Sequence, residues 1–146
     1  MAEYTANTAQ VVDVNQNILF TDTPVGGSGS IVHREGSGLV TLRGITNQCR
    51  ARFKVTFGGN IALPADGTVE AISLAIAING EPVASTTMIV TPAAVEEFSN
   101  VFTAIYLEVP ANCCSQISVR NISTQAIDVQ NANLIVERVA YKKWID

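Results

Sequence analysis

The sequence predicts an all-β chain, an antiparallel two-sheet jelly-roll sandwich of about ten strands. Three observations carry this expectation. Apolar residues recur with a period of two along most of the chain, clusters of glycine, asparagine and proline separate the runs, and only one short stretch has the chemistry that starts a helix.

Taken in order, the alternation places strands near Ala9–Val14, Ile18–Thr21, Ile31–Arg34, Leu39–Arg43, Arg50–Phe57, Val69–Ile78, Val83–Val90, Ser99–Val109, Gln116–Asn121, Ala126–Val129 and Asn133–Val139. The separators Gly26–Ser30, Gly36–Gly38, Gly58–Asn60, Pro64–Gly67 and Asn79–Gly80 hold residues that tolerate turn dihedrals. Asn79-Gly80 between apolar runs is the strongest hairpin signal. Thr91–Glu97 reads as one or two helical turns, with Thr91 as cap, Pro92 in the first position and acidic residues after it. With 146 residues, the chain is expected to form one domain, residues 1–146. Residues 1–25 form its N-terminal arm and first strands, and residues 141–146 a C-terminal tail.

Two of these strands are largely apolar on both faces. In Val69–Ile78, Ile72, Leu74, Ile76 and Ile78 form one side, and Ala71, Ser73, Ala75 and Ala77 the other. In Phe98–Val109, Val101, Ile105, Leu107 and Val109 form the core side and Phe98, Phe102 and Tyr106 an aromatic row on the opposite side. A two-layer β domain has one interior, so a second apolar face must meet another layer or another subunit. The reading is therefore an oligomer in which Ala71, Ser73, Ala75, Ala77, Phe98, Phe102 and Tyr106 share an interface and face the same way.

Composition supports association and excludes several functions. Charged residues make up 15% of the chain and apolar ones 47%, against about 25% charged in an average protein. Nine Lys and Arg and a net charge of −4 argue against nucleic acid as a partner. No apolar run approaches the roughly 20 residues that span a bilayer, and the first residues lack a signal peptide's basic and apolar regions. Synthesis in a cytoplasm without membrane insertion is expected.

No enzyme is expected. His33 is the sole histidine, and GxSxG, HExxH and GxxxxGK[ST] do not occur. No cofactor or metal is expected, since Cys49, Cys113 and Cys114 lack CxxC spacing. The three cysteines read as reduced and mostly buried; because Cys113 and Cys114 point to opposite sides of a strand, at most one of them can pair with Cys49 if the protein meets an oxidising medium. Arg50, Arg52 and Lys54 alternate with core residues and form a basic row, either paired across strands or offered to an anion or an acidic partner. Glu96-Glu97 reads as solvated charge. Tyr141, Lys142, Lys143 and Trp144 make a cationic, aromatic tail suited to docking on a neighbour.

From about Gly44 to Val139 the chain resembles the tumour-necrosis-factor-like trimeric jelly roll, in particular the bacterial and phage branch that also caps exosporium glycoproteins. The features that carry the resemblance are the strand pair ending at Asn79-Gly80, the strand through Phe102-Thr-Ala-Ile-Tyr-Leu, and the Pro110-Ala-Asn-Cys turn. Ile117-Ser-Val-Arg-Asn and the closing Asn131-Ala-Asn-Leu-Ile-Val complete it. The segment Ile31–Gly44 is similar to small proteins encoded among phage structural genes. The resemblance implies a homotrimer, and a non-enzymatic phage virion component such as a head fibre or capsid decoration protein, located in the virion with a capsid protein as a possible partner. An alternative is a carbohydrate- or receptor-binding surface module that meets a host-surface glycan through the loops Gly26–Ser30, Gly36–Gly38 and Pro64–Gly67. Unlike stalked relatives, this chain has no Gly-X-Y stem before the domain.

Overall fold

The computed structural model describes residues 1–139. Twelve strands occur among them and no α-helix. The first three are β1 (Ala2–Ala6), β2 (Gln10–Val12) and β3 (Asp22–Val25), followed by β4 (Ile31–His33) and β5 (Val40–Arg43). The long β6 (Arg50–Ala62) leads to β7 (Ile72–Ile78), β8 (Glu81–Pro82) and β9 (Met88–Val90). The last three are β10 (Ser99–Pro110), β11 (Cys114–Asn121) and β12 (Ile127–Val139). One sheet has the order β10-β6-β12-β1-β3, with β2 also on β12; the other runs β4-β5-β11-β7-β8, with β9 on β7. All pairings are antiparallel. No described helix is long and apolar enough to cross a membrane.

Alternation fixes the core. Ala51, Phe53, Val55 and Phe57 of β6 are fully buried, as are Ile72, Leu74 and Ile76 of β7, and Val101, Leu107 and Val109 of β10 join the same cluster. A hairpin forms at Asn79-Gly80, where both residues have positive φ (52° and 85°) and Ala77 pairs with Pro82. This is the two-residue turn whose twist matches its strands.

Several local expectations change, beginning with the separator Gly58–Asn60, which lies within β6 and pairs with β10. Ala2–Ala6, read as an arm, is a strand inside the first sheet, paired to both β12 and β3. The two closing strands are one, β12, whose register shifts between Gln130 and Asn133 with Asn131 at φ 56°. The irregularity lets β2 pair before it and β1 after it. Ile18–Thr21 forms no ladder: Ile18 N bonds Val119 O, Phe20 N bonds Ser37 O and Thr21 N bonds Thr5 O, so successive residues pair with different neighbours. Thr91–Glu97 is not helical. Glu96 adopts φ 61°, and its N–H goes to Leu63 O at 2.9 Å.

Buried side chains finish the ladders where strands end. Thr86, in a short 3-10 turn at Ala84–Thr86 that interrupts the expected strand Val83–Val90, accepts from Ile76 N at 2.9 Å and donates to Val83 O at 2.7 Å. Asn121 is fully buried. Its Nδ2 donates to Val12 O, Asp13 O and Gln125 O at 2.9, 3.3 and 3.0 Å, and its Oδ1 accepts from Ser123 N at 2.9 Å. One amide thus joins β2, the end of β11 and the turn into β12.

Two outcomes follow. Asn121→Ala should strand several buried backbone groups and lower stability by about 2–4 kcal/mol in urea denaturation; a loss below about 0.5 kcal/mol would show that water takes over the clamp. Asp128 on β12 has its pKa raised by burial, then by the nearby charges of Glu96 and Asp66. The folded chain therefore holds this proton more tightly than the unfolded one. The resulting penalty grows as pH rises from the ordinary carboxylate value to the folded value, and is full above it. Asp128→Asn should stabilise the protein at neutral pH by a few tenths of a kcal/mol after solvent screening, with the gain vanishing below about pH 4. Melting curves across that range check the trend.

Candidate functional site

The outer face of the first sheet carries the aromatic row. Register places Phe102 opposite Gly58, Ala104 opposite Thr56, Tyr106 opposite Lys54 and Glu108 opposite Arg52. On the next strand Ile135 stands beside Thr56, Glu137 beside Lys54 and Val139 beside Arg52. Gly58 has no side chain, so Phe102 lies over backbone, its Cδ2 3.9 Å from where a Cβ at Gly58 would stand. Phe102 is 65% exposed and Tyr106 62%. Phe98, just before β10, is also exposed. A groove of about 560 Å³ on this face is lined by Arg52, Tyr106, Leu107, Glu108 and Val139.

The basic row lies on the same face and is paired across strands. Glu108 meets Arg50 at 3.8 Å and Arg52 at 3.6 Å, and Lys54 Nζ stands 5.9 Å from the centre of the Tyr106 ring. These partly exposed pairs each contribute at most about 1 kcal/mol. Their larger effect is on shape, because they hold three long cations around the aromatic row.

The small-residue row lies elsewhere. Ser73, Ala75 and Ala77 belong to β7 in the second sheet, so they do not share a face with Phe102 and Tyr106. Ala75 and Ala77 have no exposed surface in the single chain, Ser73 is half-buried, and Ala71, before the strand, is exposed. The cover comes from the chain itself. Arg120, the register partner of Ala75, reaches along the strand to donate from Nη1 to Gly80 O at 2.7 Å, and Ser118 opposite Ala77 is buried. The expected common interface is thereby divided, and Ala75 and Ala77 have no surface to offer a neighbour.

At one end of the sandwich, the segment after β5 and the turn from β10 to β11 border an open polar cavity of about 600 Å³. It is lined by Arg43, Gly44, Ile45, Thr46, Asn47, Asn112, Cys113 and Cys114. Backbone bonds hold the two segments together: Gly44 N to Cys113 O at 2.8 Å, Asn112 N to Gly44 O at 3.1 Å and Ala111 N to Cys49 O at 2.8 Å. A Cβ at Gly44 would collide with Pro110 O, so this approach requires glycine. Of the loops considered for sugar binding, Gly26–Ser30 adjoins this end, with Gly29 O accepting from Arg43 Nη1 at 3.4 Å. Gly38 instead packs on Asn17 and Ile18, and Pro64–Gly67 on Gln125.

All three cysteines are exposed and unbridged, contrary to the expectation of burial, because they stand beyond the end of the sheets' shared interior. His33 is a packed side chain. Its Nε2 donates to Ser37 O at 2.8 Å, and its ring lies 4.4 Å from that of Tyr4 and 6.4 Å from that of Phe20. Among the described residues no three His, Cys, Asp or Glu side chains gather as a metal site. Tyr141, Lys142, Lys143 and Trp144 lie outside the described residues.

The sequence matches no protein-family model and no curated protein. The fold does match solved structures. Eiger TNF from S. frugiperda superposes with a TM-score of 0.67 at 13% identity, over 97% of this chain and 93% of that one. The globular domain of zebrafish complement 1qA protein gives 0.61 at 11% identity, over 92% and 94%. Murine APRIL gives 0.60 at 8% identity, over 93% and 98%. With these neighbours and the two antiparallel sheets described above, the fold is the TNF/C1q-like jelly-roll sandwich.

Proposed function

We propose that this chain is a non-enzymatic structural module that assembles as a homotrimer through the outer face of the first sheet, and that it serves in a phage virion as a head fibre or capsid decoration protein. The observation that carries the assembly is the row of Phe102 and Tyr106, both more than half exposed on a regular ladder. Covering the two rings would contribute roughly 5 kcal/mol per subunit before the cost of association. Trimers, rather than another order, follow from the family resemblance. The virion role rests on the similarity of Ile31–Gly44 to proteins encoded among phage structural genes.

A second reading, a glycan- or receptor-binding module, is favoured by the polar cavity beside Gly26–Ser30, whose hydroxyl and amide groups suit hydroxylated ligands. A glycan array separates the two, since specific saturable binding belongs to the second.

Light scattering at micromolar concentration should report three chain masses. A monomer would overturn the assembly. Phe102→Lys should place a charge in a desolvated contact, at a cost of several kcal/mol per trimer, and convert the protein to a folded monomer. An unchanged trimer with unchanged melting would show that the row faces solvent. For the virion role, mass spectrometry of particles from the encoding phage should find the protein in fixed ratio to the capsid subunit; its absence would reject that role.

A further inference from the structure

Cysteine is among the residue types most often buried, yet all three here are exposed and all lie at the same end of the sandwich. Cys49 precedes β6 and Cys113 precedes β11, and two backbone contacts bring them near one turn. Cys49 O accepts from Ala111 N at 2.8 Å, extending the ladder that pairs Arg50 with Pro110; Cys113 N donates to Pro110 O at 3.1 Å, closing the turn Pro110–Cys113. Alternation then sets direction. Ala51, Phe53 and Val55 point into the sandwich from β6, so Cys49, two positions before Ala51, has the inward sense at the open end. Ile117 and Val119 point inward from β11. Cys114, the first residue of β11, opposes their phase, whereas Cys113 stands in the turn before the strand with its Sγ 3.8 Å from Cys114 O.

We infer that Cys49 and Cys113 form an oxidation-responsive pair that ties the 44–49 segment to the turn between the sheets, with Cys114 excluded by its direction. The oxidant is a low-molecular-weight disulfide such as oxidised glutathione. One protein thiolate attacks it and expels a small thiolate. The second protein thiolate then attacks the mixed disulfide and expels the other. Two protein thiols and one small disulfide become one protein disulfide and two small thiols, which take up the two protons. Neither Cys49 nor Cys113 lies within a strand, so a local adjustment at either can bring the Cα atoms within the roughly 4.4–6.8 Å of a bridge. The bond would close most of the chain's central strands into one covalent loop. Loops of that length raise the melting temperature by roughly 5–15 °C.

The test incubates the folded protein with oxidised glutathione, blocks remaining thiols and maps peptides by mass spectrometry. A Cys49–Cys113 link is expected in the wild type and in Cys114→Ser, lost in Cys113→Ser and Cys49→Ser, with the melting increase following the link. Because all three positions are exposed, the serine variants should keep the fold, and far-UV circular dichroism verifies it. Separate glutathione adducts on each cysteine, a link to Cys114, or links only between chains would each overturn the inference. None of these outcomes depends on the trimer.

Discussion

The ladder joining β10, β6 and β12 is the constraint from which the other features follow. Its long strands make the register hard to slip, because a shift by one residue would turn Phe53, Phe57 and Val101 outward and bring Arg52, Lys54 and Tyr106 into the core. The same register that buries the aromatic residues of β6 stands Phe102 over Gly58 and Tyr106 beside Lys54. Core and outer surface are thus two readings of one pairing, and neither can change without the other.

Three central strands were legible from sequence. Arg50–Phe57, Val69–Ile78 and Ser99–Val109 announced themselves by alternation, and Asn79-Gly80 by its turn chemistry. What escaped was set by tertiary partners. Ala2–Ala6 shows weak contrast, with Ala2, Tyr4 and Ala6 against Glu3 and Thr5, and it becomes a strand because β12 and β3 flank it. Thr91–Glu97 had capping residues for a helix, but Glu96 gives its N–H to Leu63 O instead. The row Ser73, Ala75, Ala77 looked identical to a contact surface because alternation reports that a face needs cover and says nothing about the source. Here the cover is Arg120, distant in sequence but the register partner of Ala75. For the cysteines, residue type suggested burial, while position at the end of the sandwich decided exposure.

Low charge also acquires a local meaning. Of the basic row, Arg50 and Arg52 converge on Glu108 and Lys54 leans on Tyr106, so the cations nearest the aromatic row are engaged within the chain. A face arranged this way can approach a copy of itself with little repulsion between like charges. Loose lysines and arginines in the same places would have set the copies apart.

Gly44 fixes one boundary of the polar end of the molecule. Its contact with Pro110 admits no side chain, and Cys49 is held on the other side by Ala111, so both ends of the connection between β5 and β6 are anchored. The four residues between, Ile45–Gln48, bond locally, Ile45 N to Arg43 O at 2.9 Å and Gln48 N to Thr46 Oγ1 at 3.1 Å. The arrangement is that of a graft site: sequence can be exchanged, or residues inserted, between fixed posts while the sandwich beneath keeps its shape. A lineage under pressure to alter its exposed surface could vary this end alone, and selection for novelty would then leave its record in those four positions.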